Sequence, residues 1–412
     1  MKEPGKDIFF PLILKKAGVI LLLATLLLGG FSSHAVAAEE VHPCLQSITS
    51  KDILLVADPA GHILLDKNAT RPFIPASTLK ILTALSALHY LGPRYRFRTD
   101  FYLDQKGNLK VKGYGDPLFI SEVILNITDD LSEHLTAFKG LVIDRTYFAP
   151  GIKIPGRERS PNPYDAPVGA LCANFNTVHF HRDRNGNALS SEIQTPLIPF
   201  ARDKLRLLNA KQGRHVVVHD GHDAARYAGG LLLHFLNTKG VQHTEQIRFG
   251  TVTSEDVLAY TYQSIFPLEE VLQKMLAFSS NFMANQILIA VGAQVYGPPG
   301  TLKKGIKALQ KYANQYLSPH TIHIQEGSGL SRENRLSARD MLTILKQFKP
   351  YRHLLSAENG LLCKTGSLRG IRTRAGYITH GPGDPSYFVV SLHREGKAIE
   401  SSMDCIRKWF GN

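Results

Sequence analysis

The chain has 412 residues, of which 43% are hydrophobic and 20% are charged, so it is long enough for two or three globular domains. Its formal net charge of +13 indicates an acidic partner. No stretch joins clustered Lys and Arg to interleaved aromatic residues, and no zinc-finger spacing occurs. We therefore expect an anionic lipid or polymer as the partner, and no nucleic acid.

The first 38 residues are typical of a secretory signal peptide. Four lysines precede an apolar run over 17–30 that is too short to span a bilayer comfortably, and small residues follow up to Ala37 and Ala38. We expect cleavage after one of these two alanines, and a secreted, periplasmic location with possible association with the envelope. The alternative is an uncleaved N-terminal anchor.

Export makes disulfide bonds possible, and four cysteines follow the signal. Cys44 and Cys405 lie close to the two ends of the mature chain, which are often adjacent in a domain, so this pair favours a bridge. Cys172 and Cys363 have apolar, strand-like surroundings and are predicted to be buried thiols.

Strand patterns at both ends of the chain predict one sheet that is shared by the N- and C-terminal parts. The strand candidates are 52–57 and 62–66 near the start, and 370–379 and 387–393 near the end, where a helix over 400–410 closes the chain. Helices between such strands indicate an α+β fold. The predicted divisions are 1–38, 39–92, 93–254 and 255–412, and residues 93–254 form an insertion in a domain made by the two flanking parts.

The insertion is predicted to be β-rich, with one helix over 224–236. Its strand candidates are a hairpin over 95–111 and the segments 140–144, 176–181 and 215–218. From residue 267 onward the pattern becomes helical. The predicted helices are 268–278, 282–291 and 302–316.

Residues 75–80 stand where the extended first part meets an apolar helical pattern over 79–91. Ser77 would lie in the first turn and Lys80 one turn later on the same face. A neutral lysine within reach can take the proton of a serine, and free N–H groups at a helix N-terminus can face an oxyanion. This is the only Ser-x-x-Lys in the sequence. The alternative is a helix cap beside a solvated lysine.

A Ser-x-Asn element, Ser279-Ser280-Asn281, lies between two predicted helices. In such a loop a hydroxyl can relay a proton to a leaving amine, and a carboxamide can hold a substrate amide. Residues 160–162 match the same pattern, and the position between two helices distinguishes the copy that begins at Ser279.

A third element, Lys364-Thr365-Gly366-Ser367, is predicted at the start of the strand over 370–379. A cationic lysine beside a threonine hydroxyl suits a carboxylate, and a glycine lets a peptide backbone approach the strand closely. The charge of Lys364 would also disfavour a second positive charge on Lys80.

The order of these three elements resembles that of serine β-lactamases and penicillin-binding proteins. Further segments look like a D-alanyl-D-alanine carboxypeptidase/endopeptidase of the penicillin-binding protein 4 type. They are 113–118, 140–148, 174–176, 326–334 and 364–377. The resemblance implies a penicillin-binding transpeptidase-like (serine β-lactamase-like) domain, in which helices flank an antiparallel sheet and a β-rich domain is inserted.

The resemblance also implies the roles of the site residues. Ser77 would form the acyl-enzyme with peptidoglycan stem peptides, Lys80 would accept its proton, and Ser279 and Asn281 would assist. The terminal carboxylate would be held by Lys364 and Thr365. The backbone N–H groups of Ser77 and Ser367 would form the oxyanion hole, and Gly366 would let the substrate backbone approach the strand. β-Lactams would be covalent inhibitors, and no metal or cofactor is expected.

The sequence departs from the family pattern at three positions. Relatives usually have Asp where Ser280 stands, Glu where Asn285 stands and Asp where Glu326 stands, and none of these changes removes a group from the expected chemistry. The insertion of roughly 160 residues is also shorter than in the larger relatives, which puts substrate reach in doubt.

Other interpretations remain open from the sequence. The scaffold could carry a β-lactamase, although the region that would supply a deacylating glutamate falls in the insertion. A non-catalytic protein that binds the cell wall is a second alternative.

Histidines at 179, 181, 219 and 222 could hold a metal but lack an evident partner at ligand spacing. Asp144 and Arg332 could recognise a substrate side chain, although salt bridging is the simpler expectation. The balance of carboxypeptidase and endopeptidase action and the oligomeric state stay undetermined.

Overall fold

The computed structural model describes residues 42–46, 48–319, 321–358, 360–379, 383–394 and 398–411. The predicted signal peptide lies outside these residues. Within them, no helix is both long enough and apolar enough to cross a membrane.

The helices and strands are numbered in chain order. The strands of the described residues are β1 (Ile53–Ala57), β2 (Ile63–Lys67), β3 (Arg98–Leu103), β4 (Leu109–Gly113), β5 (Leu141–Asp144), β6 (Thr177–Arg182), β7 (Ala188–Ser190), β8 (Gly213–Val216), β9 (Ile247–Phe249), β10 (Val257–Gln263), β11 (Ser356–Glu358), β12 (Leu361–Leu368), β13 (Ile371–Ile378) and β14 (Ser386–Leu392). The helices are α1 (Pro43–Gln46), α2 (Lys80–Leu91), α3 (Ser121–His134), α4 (Pro199–Leu207), α5 (Gly221–Thr238), α6 (Leu268–Ala277), α7 (Asn281–Tyr296), α8 (Leu302–Tyr316), α9 (Ala338–Phe348) and α10 (Ala398–Phe410).

The main sheet joins both ends of the chain, as the strand patterns predict. Its order is β11-β12-β13-β14-β1-β2, and every neighbouring pair is antiparallel. The first and last strands of the described residues are neighbours in this sheet, where Leu55 of β1 stands opposite Val389 of β14. The sheet therefore forms only when chain segments more than 300 residues apart come together.

The main sheet is covered on both faces. Because side chains alternate along a strand, Ile53 and Leu55 of β1 point into the large core with α2 and α9, whereas Leu54 and Val56 point into a smaller core with α1 and α10. All five residues of β1 are buried, as expected for a strand covered on both faces.

The smaller core contains a disulfide bond between Cys44 and Cys405, which confirms the bridge expected from the positions of these residues. The other two cysteines, Cys172 and Cys363, are free and buried, as predicted.

A close crossing of α7 and α8 fixes the helical layer. A side chain at Gly292 of α7 would overlap the backbone of Gly305 in α8, and one at Gly305 would overlap the carbonyl of Leu288. Because neither glycine has a side chain, the backbones of α7 and α8 can lie in direct contact. This contact sets the position of α7, whose first residue is Asn281.

The inserted part contains two further sheets. One has the order β10-β3-β4-β5-β9, in which β4, β5 and β9 run parallel, and the other has the order β7-β6-β8. Three helices, α3, α4 and α5, accompany them, whereas the pattern indicated one. The missed α3 has its apolar residues Val123, Ile124, Ile127 and Leu131 at helical spacing, so a periodic signal was present.

The division of the chain at residues 92 and 254 stays a prediction. Strand β10 pairs with β3 of the inserted part along its length, although it follows residue 254. We propose that the inserted part ends later, between β10 and the start of α6 at Leu268.

Candidate active site

The serine and lysine of the first motif lie on a tight turn that leads into α2. Residues Ala76–Leu79 form a single 3-10 turn, and the α-helix begins at Lys80, so the predicted continuous helix starts later than expected. Ala76 has a φ of +48°, an uncommon conformation for a residue with a side chain. The turn brings Ser77 Oγ within 2.9 Å of Lys80 Nζ.

Lys80 is fully buried and has three partners. Its Nζ lies 2.9 Å from Ser77 Oγ, 2.8 Å from Asn281 Oδ1 and 2.7 Å from the carbonyl oxygen of Ser328. A neutral amine can donate to the two carbonyl-type oxygens and accept a hydrogen bond from the serine hydroxyl, so the geometry suits a base. The alternative of a solvated lysine beside a helix cap is wrong.

Burial places the pKa of Lys80 well below its usual range, since an ammonium ion is costly away from water. The nearby charge of Lys364 lowers this pKa further, as the sequence suggested, and Glu326 opposes the shift. The balance favours the neutral form that proton abstraction requires.

The second motif lies at the start of α7, in the loop that follows α6. Ser280 is the N-cap of α7 and accepts a hydrogen bond from the N–H of Met283 at 3.2 Å, so it fills the capping role that Asp could also fill. Ser279 has a φ of +53° and lines the same cleft as Ser77 and Asn281.

The competing Ser-x-Asn copy lies elsewhere. Ser160 Oγ donates to Asp165 Oδ2 at 2.5 Å and helps to order the loop before Tyr164. Neither Ser160 nor Asn162 lines the cleft that contains Ser77.

The third motif occupies its own strand, β12, and does not start the strand over 370–379. A turn at Gly370, with a φ of +73°, separates β12 from β13. Gly366 of β12 lies close to the turn that carries Ser77. A Cβ at this position would lie 2.9 Å from the backbone nitrogen of Ser77 and closer still to Thr373 Oγ1. The glycine therefore lets β12 approach the 3-10 turn Ala76–Leu79, which carries the predicted nucleophile Ser77 and is named the nucleophile turn.

Lys364 is 3% exposed, and burial lowers its pKa to about 8, with the positive charge of Arg374 contributing. Its Nζ donates to the carbonyl oxygen of Thr365 at 2.8 Å. Thr365 is half-buried, and Ser367 is exposed; both line the cleft.

A buried carboxylate holds the loop that supplies one partner of Lys80. Glu326 accepts hydrogen bonds from the backbone N–H groups of Ser328 and Gly329, both at 2.7 Å, and from Asn334 Nδ2 at 2.8 Å. Asn285 Nδ2 donates to it at 3.0 Å, so two of the departures from the family pattern contact each other.

This loop also reaches the nucleophile turn. A side chain at Gly329, which has a φ of +83°, would overlap the carbonyl of Ala76. Sequence reasoning singled out residues 326–334 as specific but missed their role in positioning Lys80, because nothing local links them to a residue about 250 positions earlier.

The cleft at these three motifs has a volume of about 820 Å³. Besides residues of the motifs, Glu158, Arg332 and Glu333 line it. Of the two residues considered for side-chain recognition, Arg332 lines the cleft. Asp144 does not: it is buried, and its Oδ2 lies 3.4 Å from Lys112 Nζ.

The histidines considered as metal ligands are dispersed. His222 has Asp220 and Asp223 within 4.8 Å, but Asp220 caps α5 and Asp223 contacts Lys204 at 3.0 Å. A cavity of about 600 Å³ beside His222 contains none of the predicted site residues.

A model of the D-Ala-D-Ala carboxypeptidase 3 (S13) family matches residues 52–212 and 207–361 of this chain. The chain belongs to this family. The D-alanyl-D-alanine carboxypeptidase DacB of Haemophilus influenzae is 23% identical over 396 residues, which cover 80% of this chain and 82% of that protein. A D-alanyl-D-alanine carboxypeptidase of an Actinomadura species is 22% identical over 446 residues, covering 88% and 81%.

Solved structures share the fold. The crystal structure of penicillin-binding protein 4 from Haemophilus influenzae superposes with a TM-score of 0.68 at 18% identity and covers 86% of this chain and 93% of that one. A predatory endopeptidase of Bdellovibrio bacteriovorus gives a TM-score of 0.53 at 16% identity, with 87% and 92% covered. The expected penicillin-binding protein 4 type, the α+β fold and the serine carboxypeptidase class are confirmed.

Proposed function

We propose that this S13-family enzyme cleaves the D-Ala-D-Ala bond of peptidoglycan stem peptides by acyl transfer to Ser77. The observation that carries the assignment of Ser77 is the contact of its hydroxyl with a fully buried lysine whose pKa is lowered. Such a lysine takes the proton as the serine oxygen attacks the substrate carbonyl.

The other residues of the cleft supply the remaining steps. The N–H groups of Ser77 and Ser367 stabilise the oxyanion, and Lys364 and Thr365 hold the terminal carboxylate. Asn281 orients Lys80 through its 2.8 Å contact, and the hydroxyl of Ser279 passes a proton to the departing amine. D-Alanine leaves as the amine, and water then hydrolyses the ester to regenerate Ser77.

The location and partners follow from the same assignment. Peptidoglycan lies outside the cytoplasmic membrane, so the signal-like residues 1–38 and the net charge of +13 suit a periplasmic enzyme beside an anionic envelope. β-Lactams are expected to acylate Ser77. A β-lactamase or a non-catalytic wall-binding protein is less well supported, because the chain keeps the full set of acyl-transfer groups within an S13 peptidase framework.

Intact mass spectrometry of the purified protein with benzylpenicillin tests the proposal. We expect a covalent adduct that persists for hours in the wild-type protein and is absent in Ser77→Ala. Ser160→Ala, in the second Ser-x-Asn copy, is the matched control and should retain the adduct. An adduct in Ser77→Ala, or none in the wild type, would refute the assignment, and rapid release of hydrolysed penicillin would indicate a β-lactamase.

A further inference from the structure

A buried carboxylate, that of Glu326, lies behind the partners of Lys80, and the catalytic steps proposed above do not use it. Glu326 is fully buried, and its two carboxylate oxygens accept six hydrogen bonds, three at each oxygen. The donors are the backbone N–H groups of Ser328, Gly329 and Ser331, the hydroxyl of Ser328, and the side-chain amides of Asn285 and Asn334.

These contacts favour the ionised form of Glu326. Every partner is an N–H or O–H group that can donate, whereas a protonated carboxyl group would need an acceptor for its own hydrogen. Within the described part of the chain, no ion pair includes Glu326. Its negative charge is therefore stabilised by dipoles and not by an adjacent cation, so its field acts on other groups in the buried surroundings.

Glu326 is linked to both neighbours that orient Lys80. Ser328 donates its N–H to the carboxylate at 2.7 Å, and the carbonyl oxygen of the same residue accepts from Lys80 Nζ at 2.7 Å. On the other side, Asn285 Nδ2 lies 3.0 Å from Glu326 Oε2 and 3.2 Å from the carbonyl oxygen of Asn281. The side chain of Asn281 in turn contacts Lys80 at 2.8 Å. Two of the three polar partners of Lys80 are thus linked to one carboxylate.

The charges that act on Lys80 have opposite signs. Burial lowers the pKa of Lys80 most, the positive charge of Lys364 on β12 lowers it further, and the negative charge of Glu326 raises it. The nucleophile turn and α7 present the neutral groups of Ser77 and Asn281. Glu326 is therefore the negative charge that opposes the effect of burial.

We propose that Glu326 is the counter-ion of the protonated Lys80 that forms during acylation, an inference that rests on the proposed function. As Ser77 Oγ bonds to the substrate carbonyl carbon, its proton moves to Lys80 Nζ, so a neutral buried amine becomes an ammonium ion. This ion is costly away from water unless an anion lies nearby, and Glu326 holds that anion in place before the reaction starts. When the proton passes on through Ser279 to the departing amine, Lys80 is neutral again. Glu326 acts through Lys80 and is a positioning residue.

The test measures the rate constant of acylation by benzylpenicillin across pH. Glu326→Gln removes the negative charge and Glu326→Asp keeps it, whereas Asn285→Lys neutralises it without cutting the bonds of Glu326 to its own loop. Asp144→Asn, which removes a buried carboxylate that does not line the cleft, is the matched control. Thermal unfolding establishes first that each variant is folded.

Loss of the negative charge should make Lys80 a weaker base that is neutral at lower pH. For Glu326→Gln and Asn285→Lys we therefore expect the acid limb, the fall of the rate toward low pH, to move about one pH unit lower. The rate on the plateau should fall roughly tenfold to a hundredfold, because a weaker base takes the serine proton less readily. Glu326→Asp and Asp144→Asn should keep the wild-type acid limb.

The outcomes separate this inference from the proposed function. An acid limb at the wild-type pH in folded Glu326→Gln or Asn285→Lys would overturn the counter-ion role even if the rate falls, because a purely structural role of the loop predicts that result. A displaced limb in Glu326→Asp would overturn it as well. A wild-type protein that forms no penicillin adduct would instead refute the proposed function.

Discussion

The proposed mechanism needs two buried lysines in opposite protonation states. Lys80 would be neutral to accept a proton, whereas Lys364 would be charged to hold a carboxylate. Burial lowers the pKa of both, and the charge of Lys364 lowers that of Lys80 further. Lys80 is the more deeply buried of the two, and its pKa is lowered well below the usual range of a lysine, whereas the pKa of Lys364 is lowered to about 8.

The value of kcat/KM should therefore follow a bell-shaped pH profile. It rises as Lys80 of the free enzyme loses its proton and falls above about pH 8, where Lys364 loses the charge that binds the carboxylate. In Lys364→Arg the alkaline fall should disappear from this range, because a guanidinium stays protonated, although kcat/KM is lower overall. Steady-state kinetics across pH provide the measurement.

Lys346→Arg, at an exposed position of α9, is the control for this profile and should keep the wild-type alkaline limb. If kcat/KM of Lys364→Arg still falls above about pH 8, another group must titrate in that range.

At the scale of elements, the site depends on how closely β12 and the nucleophile turn approach. Gly366 leaves no room for a side chain, since a Cβ would stand 3.0 Å from the Cβ of Ala76 as well as near the Ser77 nitrogen. Thr373 of β13 also donates to the carbonyl of Pro75 at 2.9 Å. The contacts of β12 and β13 with the nucleophile turn thus hold the backbone N–H groups of Ser77 and Ser367, the expected oxyanion hole, in fixed positions relative to each other.

The substitution Gly366→Ala should push β12 away from Ser77. We expect a loss of about 1–3 kcal/mol in the free energy of unfolding, as for overpacking, and a fall in the rate of acylation by benzylpenicillin of roughly a hundredfold or more. Thermal unfolding and time-resolved mass spectrometry would measure the two effects. Acylation at the wild-type rate would show that the approach of these elements is not needed for the oxyanion hole.

Sequence patterns predicted the elements whose signals are local. The helices α6, α7 and α8 and the strands β1 and β14 lie where periodicity placed them, and the order of the three motifs singled out Ser77, Lys80 and Lys364 as candidates. The contact between Gly366 and the nucleophile turn was not predictable, because a glycine in a strand gives no sign of what approaches it. The role of Glu326 was not predictable either, because its hydrogen bonds to the backbone form only in the folded loop.

At the scale of the whole molecule, the main sheet separates two hydrophobic cores, of which one lies beside the predicted site and the other contains the disulfide bond. The large core surrounds α2, which begins with Lys80, whereas the smaller core holds α10 and the bond between Cys44 and Cys405. The bridge spans 361 residues and ties the two ends of the sheet domain together on the face away from α2.

Removing this bridge should lower stability and spare catalysis. For the double variant Cys44→Ser and Cys405→Ser we expect a loss of about 2–5 kcal/mol in the free energy of unfolding, because the unfolded chain regains the entropy that the long loop restrains. Penicillin acylation at temperatures below unfolding should stay near the wild-type rate. Denaturant titration with and without a reductant measures the effect, and reduction should destabilise the wild type but not the variant. A variant as stable as the wild type would contradict this role.

The partners of Lys80 also determine when the serine becomes reactive. Asn281 and Ser328 lie 201 and 248 residues further along the chain, so a partly synthesised chain leaves the lysine in water, where it is protonated and cannot act as a base. Ser77 therefore has no neutral lysine to accept its proton until the C-terminal half of the chain has folded around Lys80. Under the proposed mechanism, covalent labelling by a β-lactam would thus count correctly folded molecules, and an unfolded chain would carry no reactive serine.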